Sequence, residues 1–343
     1  MKEKIRWVVP MLVVMLICCS CTGNDQITET GTTEPTLSAV ATAKPEKKEP
    51  VLTSINHYVI KADMKSYMTK TDIALFRKLV DGVLARKKEV TLSKDYDANL
   101  SAMGALKMTP YYFLVKKDEF SKDHTKIKFT YAYSAEKHAK KIAFLDNEYL
   151  TLINENVTSD MNELEKVLAI YKYFANRISY DYEWLDGLNM SEDKFLYPDI
   201  EIYQALKTNK GVCHTYTYLC EFALQQLGIE CLRITGTMTG TEDDGHMWLL
   251  VRIDGKYYHC DPTWDSGENE IGLKYFGMTD KERVASGVDI DNTSIDGSYG
   301  EVSCSSKRFK TFRDVNNFEF NEDHSLTLYK EGKSEPVMFS TAP

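Results

Sequence analysis

The chain has 343 residues, 43% hydrophobic and 27% charged, with 42 Lys+Arg against 51 Asp+Glu and a formal net charge of -9. This apolar content excludes disorder over the whole length, and the negative balance excludes a basic nucleic-acid binder, which needs a cationic face for phosphates. Eight Cys are too few for a disulfide scaffold, and the length fits one or two domains.

The first element is an address. Lys2, Lys4 and Arg6 precede an apolar run from Trp7 to Ile17, followed by Cys18, Cys19, Ser20 and Cys21. The run is about half of the roughly 20 residues a membrane span requires, and it has the n-region and h-region of a secretory signal. Its ending in cysteines resembles a bacterial lipoprotein signal, in which the residue after the cut carries lipid. The resemblance implies a signal peptide over 1–20 and lipid on Cys21, with small Ser20 before the cut. Cys19, preceded by Leu16 and Ile17, competes for that role. It further implies an extracytoplasmic, membrane-anchored lipoprotein on the bacterial cell surface. Removal of the signal takes away three Lys/Arg and one Glu. The acidic remainder repels anionic headgroups, so attachment rests on acyl chains. Residues 21–50, rich in Thr, Pro, Glu, Lys and Ser without apolar period, read as a disordered tether reaching on the order of 30 Å.

Residues 51–150 read as an α+β accessory region. From Thr71 to Ala85 the apolar positions Ile73, Leu75, Phe76, Leu79, Val80 and Val83 predict a helix. Lys126–Tyr133 alternates as a strand, with Ile127, Phe129 and Tyr131 on one face. His57, His124 and His138 lack metal-ligand spacing and are expected at the surface. A second helix is expected with Asp160 as its cap, Glu163 completing a capping box, and a stripe of Leu164, Val167, Leu168, Tyr171 and Phe174.

The chemistry concentrates in residues 199–267. Asn209-Lys-Gly-Val-Cys213 is a glycine turn leading into a helix over Thr215–Leu227 that Gly228 ends. Cys213 thus falls at or just before a helix N-terminus, where the dipole favours the nucleophilic thiolate. Strands are expected over Glu230–Gly236, His246–Ile253 and Lys256–Asp261. Asp254-Gly255 is the turn of a two-residue hairpin. That register sums paired positions to roughly 509, placing Asp261 near residue 248 and diagonal to His246 on the same face. A Cys nucleophile needs a base, and the base needs a group that fixes its tautomer. Cys213, His246 and Asp261 are the three candidates.

Gly211-Val-Cys213, Leu227-Gly-Ile229, Gly236, His246-Met-Trp248 and Tyr258-His-Cys-Asp-Pro-Thr-Trp-Asp265 resemble the transglutaminase-like superfamily, in its bacterial secreted members. The resemblance implies an α+β fold: a papain-like core over 151–290, its helix bearing the nucleophile against an antiparallel sheet, after the accessory region. It assigns Cys213 as nucleophile, His246 as base and Asp261 as its orienting partner. It implies acyl transfer at amide bonds of proteins or peptides, cell-wall peptide among them. Hydrolysis is favoured over transglutaminase cross-linking, because water is always available. A non-catalytic envelope binding or scaffolding module is the rival. Thr215 departs from the glycine often found two residues after the Cys, and Leu249 from the usual H-A-W-N pattern. Besides the Cys213 amide, Tyr203 or Gln204 are the guesses for a second oxyanion donor.

No cofactor or metal is called for, and no loop has calcium-binding spacing. Cys220, Cys231, Cys260 and Cys304 read as structural, with any disulfide pairing among them open. His259, a strand neighbour, should not be catalytic, and Trp248 and Trp264 should pack around the site. Residues 291–343 read as a β extension, with a hairpin pairing Phe318-Glu-Phe320 and Leu326–Tyr329.

Overall fold

The computed structural model describes residues 49–60, 65, 68–188, 199–241, 245–267, 271–290 and 302–343. The signal, the lipidation candidates Cys19 and Cys21, and most of the tether lie outside them. Among the described residues no helix is long and apolar enough to cross a membrane.

Helix α1 (Lys70–Leu84) opens on a capping box, Thr69 with Asp72, and buries Phe76, Leu79 and Val83. It is followed by β1 (Glu89–Thr91), α2 (Tyr96–Lys107), β2 (Val115–Phe120) and β3 (Lys126–Tyr131). The three strands form an antiparallel sheet in the order β1-β3-β2. On β3 Ile127 and Phe129 are buried between exposed neighbours, as period-two alternation requires. In α3 (Ala135–Asn156) His138 is buried, not at the surface, and its Nε2 lies 2.9 Å from the Val83 carbonyl. Spacing from other histidines says nothing about burial, and here a backbone acceptor inside the core meets Nε2 while Nδ1 is buried without a hydrogen-bond partner.

Helix α4 (Glu163–Arg177) carries the expected stripe, but its cap is Asn162, not Asp160. The Asn162 side chain accepts the Glu165 N–H at 3.0 Å, and the Glu165 carboxylate accepts the Asn162 N–H at 2.8 Å. The same spacing therefore operates two residues later. Glu163 is used elsewhere, accepting the Asp254 N–H at 2.5 Å. After it come β4 (Ser179–Tyr180), α5 (Tyr182–Leu188), α6 (Asp199–Thr208), β5 (Lys210–Gly211) and α7 (Cys213–Gln226). A five-stranded antiparallel sheet, ordered β10-β6-β7-β8-β9, is built from β6 (Cys231–Met238), β7 (Gly245–Ile253), β8 (Lys256–Cys260), β9 (Phe276–Met278) and β10 (Val288–Ile290). Helix α8 (Asp280–Ala285) joins its last two strands in sequence. The chain finishes with a three-stranded antiparallel sheet of β11 (Val315–Phe320), β12 (Ser325–Lys330) and β13 (Val337–Ser340).

The molecule is α+β. The described residues belong to one compact unit, and a single buried cluster runs from Ile55 through α4 and α7 to Leu328. Phe222 of α7, for example, meets Tyr111 and Tyr149 edge to face at 6.3 and 4.7 Å. Helix α7 is thus walled by the N-terminal segment on one side and by the large sheet on the other.

Candidate active site

The site starts at the junction of β5 and α7. The parallel pair β4–β5 sets Tyr180 against Gly211, and Cys213 follows as the first residue of α7. A Cβ on Gly211 would come within 2.4–2.8 Å of the Thr215 side chain, so glycine is what lets the turn close on the helix. Thr215 accepts the Val212 N–H on its hydroxyl at 3.1 Å. The residue that departs from the family pattern therefore holds the amide of the N-cap residue, the N3 half of a capping box.

His246 and Asp261 come from the hairpin. Asp254 and Gly255 both have positive φ, 48° and 78°, as a type I′ turn demands. Leu249 pairs with Cys260 and Ile253 with Lys256, the register expected from the turn. Beyond Cys260 the chain leaves β8, and an Asx turn fixes Asp261: Oδ1 accepts the N–H of Thr263 at 3.1 Å and of Trp264 at 3.4 Å. Oδ2 lies 2.6 Å from His246 Nε2. His246 and His214 both interact with the Cys213 sulfur.

Cys213, His246 and Asp261 are all buried. Burial opposes a charge on the Cys213 sulfur, yet hydrogen bonds from His214 and His246 and the charge on both rings outweigh it, bringing the thiol down to about 6. Burial likewise opposes a charged His246, and the Asp261 carboxylate overcomes it, raising the ring to about 9. Asp261 resists its own burial because His246 and Arg283 face it, and its carboxyl lies below the usual range. A thiolate and an imidazolium can coexist here near neutral pH.

Trp248 and Trp264 pack on the histidine as expected. Their rings stack on His246 at 5.7 and 4.8 Å, with interplanar angles of 20° and 19°. Two participants were not anticipated. His214, on the first turn of α7, supplies a second imidazole to Cys213, and only its adjacency to the cysteine hinted at it. Arg283, on α8, is fully buried and places Nη2 2.7 Å from Asp261 Oδ2. Its guanidinium lies 4.3 Å from the Trp248 ring and 4.2 Å from that of Trp264. No local sequence signal marks it.

The oxyanion guesses do not fit. The backbone N–H groups of Tyr203 and Gln204 fall inside α6, where helical carbonyls use them. The Tyr203 ring stacks on Phe113 at 5.0 Å, and Gln204 is exposed. Cys220, Cys231, Cys260 and Cys304 are buried free thiols, all pushed up by burial. His259, Asp280 and Cys304 bring potential ligand atoms within 4.8 Å of one another. The donor set does not suit a cation: Trp248 Nε1 donates to His259 Nδ1 at 2.8 Å, so the neutral ring carries its proton on Nε2 and gives it to Asp280 at 2.8 Å. A metal at Nε2 would have to displace that proton, whereas metal-bound histidines donate from the other nitrogen.

Residues 151–262 match the family model described as the transglutaminase-like superfamily. Over this segment the chain is similar to the transglutaminase-like superfamily. Over 125 residues it is 27% identical to the kyphoscoliosis peptidase of Mus musculus and 26% identical to that of Homo sapiens. Each alignment covers 34% of this chain and 18% of the relative, so the chain spans less than a fifth of the length of these curated relatives. Among solved structures, a TGase is 18% identical, with a TM-score of 0.30, covering 46% of this chain and 38% of that one. An arylamine N-acetyltransferase from Bacillus cereus is 12% identical, with a TM-score of 0.32, covering 57% and 93%.

Proposed function

We propose that the chain is a thiol-dependent acyl-transfer enzyme acting on amide bonds of proteins or peptides, with hydrolysis as its main reaction. The observation that carries this reading is the convergence of Cys213 at a helix N-terminus with His246, itself held at 2.6 Å by Asp261. The Cys213 thiolate adds to the amide carbonyl carbon, and the oxyanion that forms is received by the Cys213 backbone N–H. His246 gives its proton to the leaving amine as the C–N bond breaks, leaving a thioester. It then takes a proton from water as the water oxygen attacks, and the C–S bond breaks to return the thiolate. A primary amine in place of water gives cross-linking. The name peptidase borne by the curated relatives fits this range. In the same proposal lipid on Cys21, or on Cys19, anchors the enzyme outside the cytoplasm, where envelope proteins and cell-wall peptides are the available substrates.

The test is the pH dependence of iodoacetamide alkylation at Cys213 in the full-length chain, followed by mass spectrometry. The expected reactivity persists down to about pH 6, because the thiol ionises there, and falls below it as the thiolate is protonated. His246→Ala should move the profile toward the ordinary thiol value near 8.5. An ordinary profile in the unaltered protein, unchanged by His246→Ala, would leave a non-catalytic binding module. The acceptor is then decided by offering an unstructured protein with and without a fluorescent primary amine, and comparing cleavage with label incorporation.

A further inference from the structure

The segment matched to the family ends at residue 262, and Arg283 lies beyond it. We propose that Arg283 is a positioning residue: from outside the matched core it fixes the Asp261 carboxylate in one orientation and one charge state for His246. The inference rests on the acyl-transfer reading of the site.

The geometry is specific. Asp261 Oδ2 is shared, His246 Nε2 at 2.6 Å and Arg283 Nη2 at 2.7 Å, while Oδ1 is taken by the turn amides of Thr263 and Trp264. The carboxylate therefore has no rotational freedom left. The guanidinium is sandwiched by the same two indoles, Trp248 and Trp264, that stack on His246. A planar, weakly hydrated cation suits that slot, whereas a compact ammonium does not. Burying an arginine completely is costly unless a carboxylate answers it, and Asp261 is the carboxylate to which it is hydrogen bonded. Its position is secured from the other side. Arg313 Nη1 donates to the carbonyls of Lys274 and Phe276, and its Nε lies 3.3 Å from Glu282 Oε1 on α8.

Arg283 sets a limit as well as an orientation. An unanswered Asp261 would hold the His246 proton more tightly, making the imidazolium a poorer acid toward the leaving amine. With Arg283 drawing on the same oxygen, the proton is easier to release. The titratable and charged groups that face Asp261 and Arg283 are His246 from β7, His259 and Cys260 from β8, Cys220 from α7, Tyr171 from α4, Tyr180 from β4, and Asp265 and Tyr275 from the loop between β8 and β9. Among them Arg283 is the permanent cation.

The test uses full-length protein with Arg283→Met, Arg283→Gln and Arg283→Lys. Two readouts are followed against pH: alkylation of Cys213, and the His246 ring signal by NMR in histidine-labelled protein. Loss of one positive charge makes every deprotonation nearby harder. The Met and Gln variants should therefore move both midpoints upward by about one unit, whereas Lys, keeping the charge in a less well fitted form, should move them less. Midpoints unchanged in a folded Met variant would overturn the proposal. If Met fails to fold, Gln and Lys decide: separated midpoints support the proposal, and coincident midpoints overturn it. An ordinary profile in the unaltered protein removes the acyl-transfer reading and this inference with it. An activated thiol whose midpoints ignore Arg283 removes the inference alone.

Discussion

At the scale of single residues the site is an arrangement of charges that only works buried. Cys213 is drawn below the ordinary thiol range by two imidazoles, and His246 is drawn above the ordinary histidine range by a carboxylate. The thiolate and the imidazolium are therefore both present between about pH 6 and about pH 9. Acyl transfer should be bell-shaped over that window, falling on the acid side as the sulfur is protonated and on the alkaline side as the ring loses its proton. Asp261→Asn keeps the shape but removes the charge that favours the imidazolium. It should cost on the order of 10³–10⁴ in turnover of a peptide amide, with the alkaline limb shifted down. His214→Ala should raise the acid limb of Cys213 alkylation by about one unit and leave the His246–Asp261 contact in place, separating the two histidines by experiment.

Elements set the distances between these residues, and Gly236 shows how tightly. Gly236 on β6 pairs with His246. A Cβ there would sit 2.5 Å from the Asp289 carbonyl oxygen and 2.8 Å from both Val288 Cγ1 and Trp248 Cη2. Two of those three neighbours belong to β10, and the third is one wall of the arginine slot. Gly236→Ala should cost about 1–3 kcal/mol of stability, measured by urea unfolding, and should lower Cys213 reactivity through the displaced indole. The hairpin was legible without coordinates, because Asp-Gly tolerates the two positive φ angles of a type I′ turn and the turn then dictates the register. The α4 cap was not. Both Asp160 with Glu163 and Asn162 with Glu165 satisfy the spacing, and the choice fell to Asn162 because Glu163 is engaged by the Asp254 amide across 91 positions.

For the whole molecule, the C-terminal sheet is part of the core. Phe309, Phe312, Phe318, Leu326 and Leu328 are buried in the same cluster as α4, and Thr341 reaches Glu165 and Asn162 at the α4 cap. A chain ending at residue 290 should lose cooperative unfolding, seen as a broad or absent transition by circular dichroism, since it uncovers these side chains together. The N-terminal segment has a matching role, walling α7 through Tyr111 and Tyr149.

The local events are written in the residues themselves: the glycine turn into the helix that carries Cys213, the Asp254-Gly255 hairpin, and the diagonal of His246 and Asp261. Each depends on φ preferences or strand period within a few residues, and the ordered motifs then pointed to the superfamily. Long-range packing puts Arg283 between Trp248 and Trp264, brings His214 to act on the Cys213 sulfur, and makes His138 internal. Those outcomes depend on which distant surfaces meet and on burial that strengthens a charge pair once water is gone. Neither is encoded in the spacing of neighbouring residues.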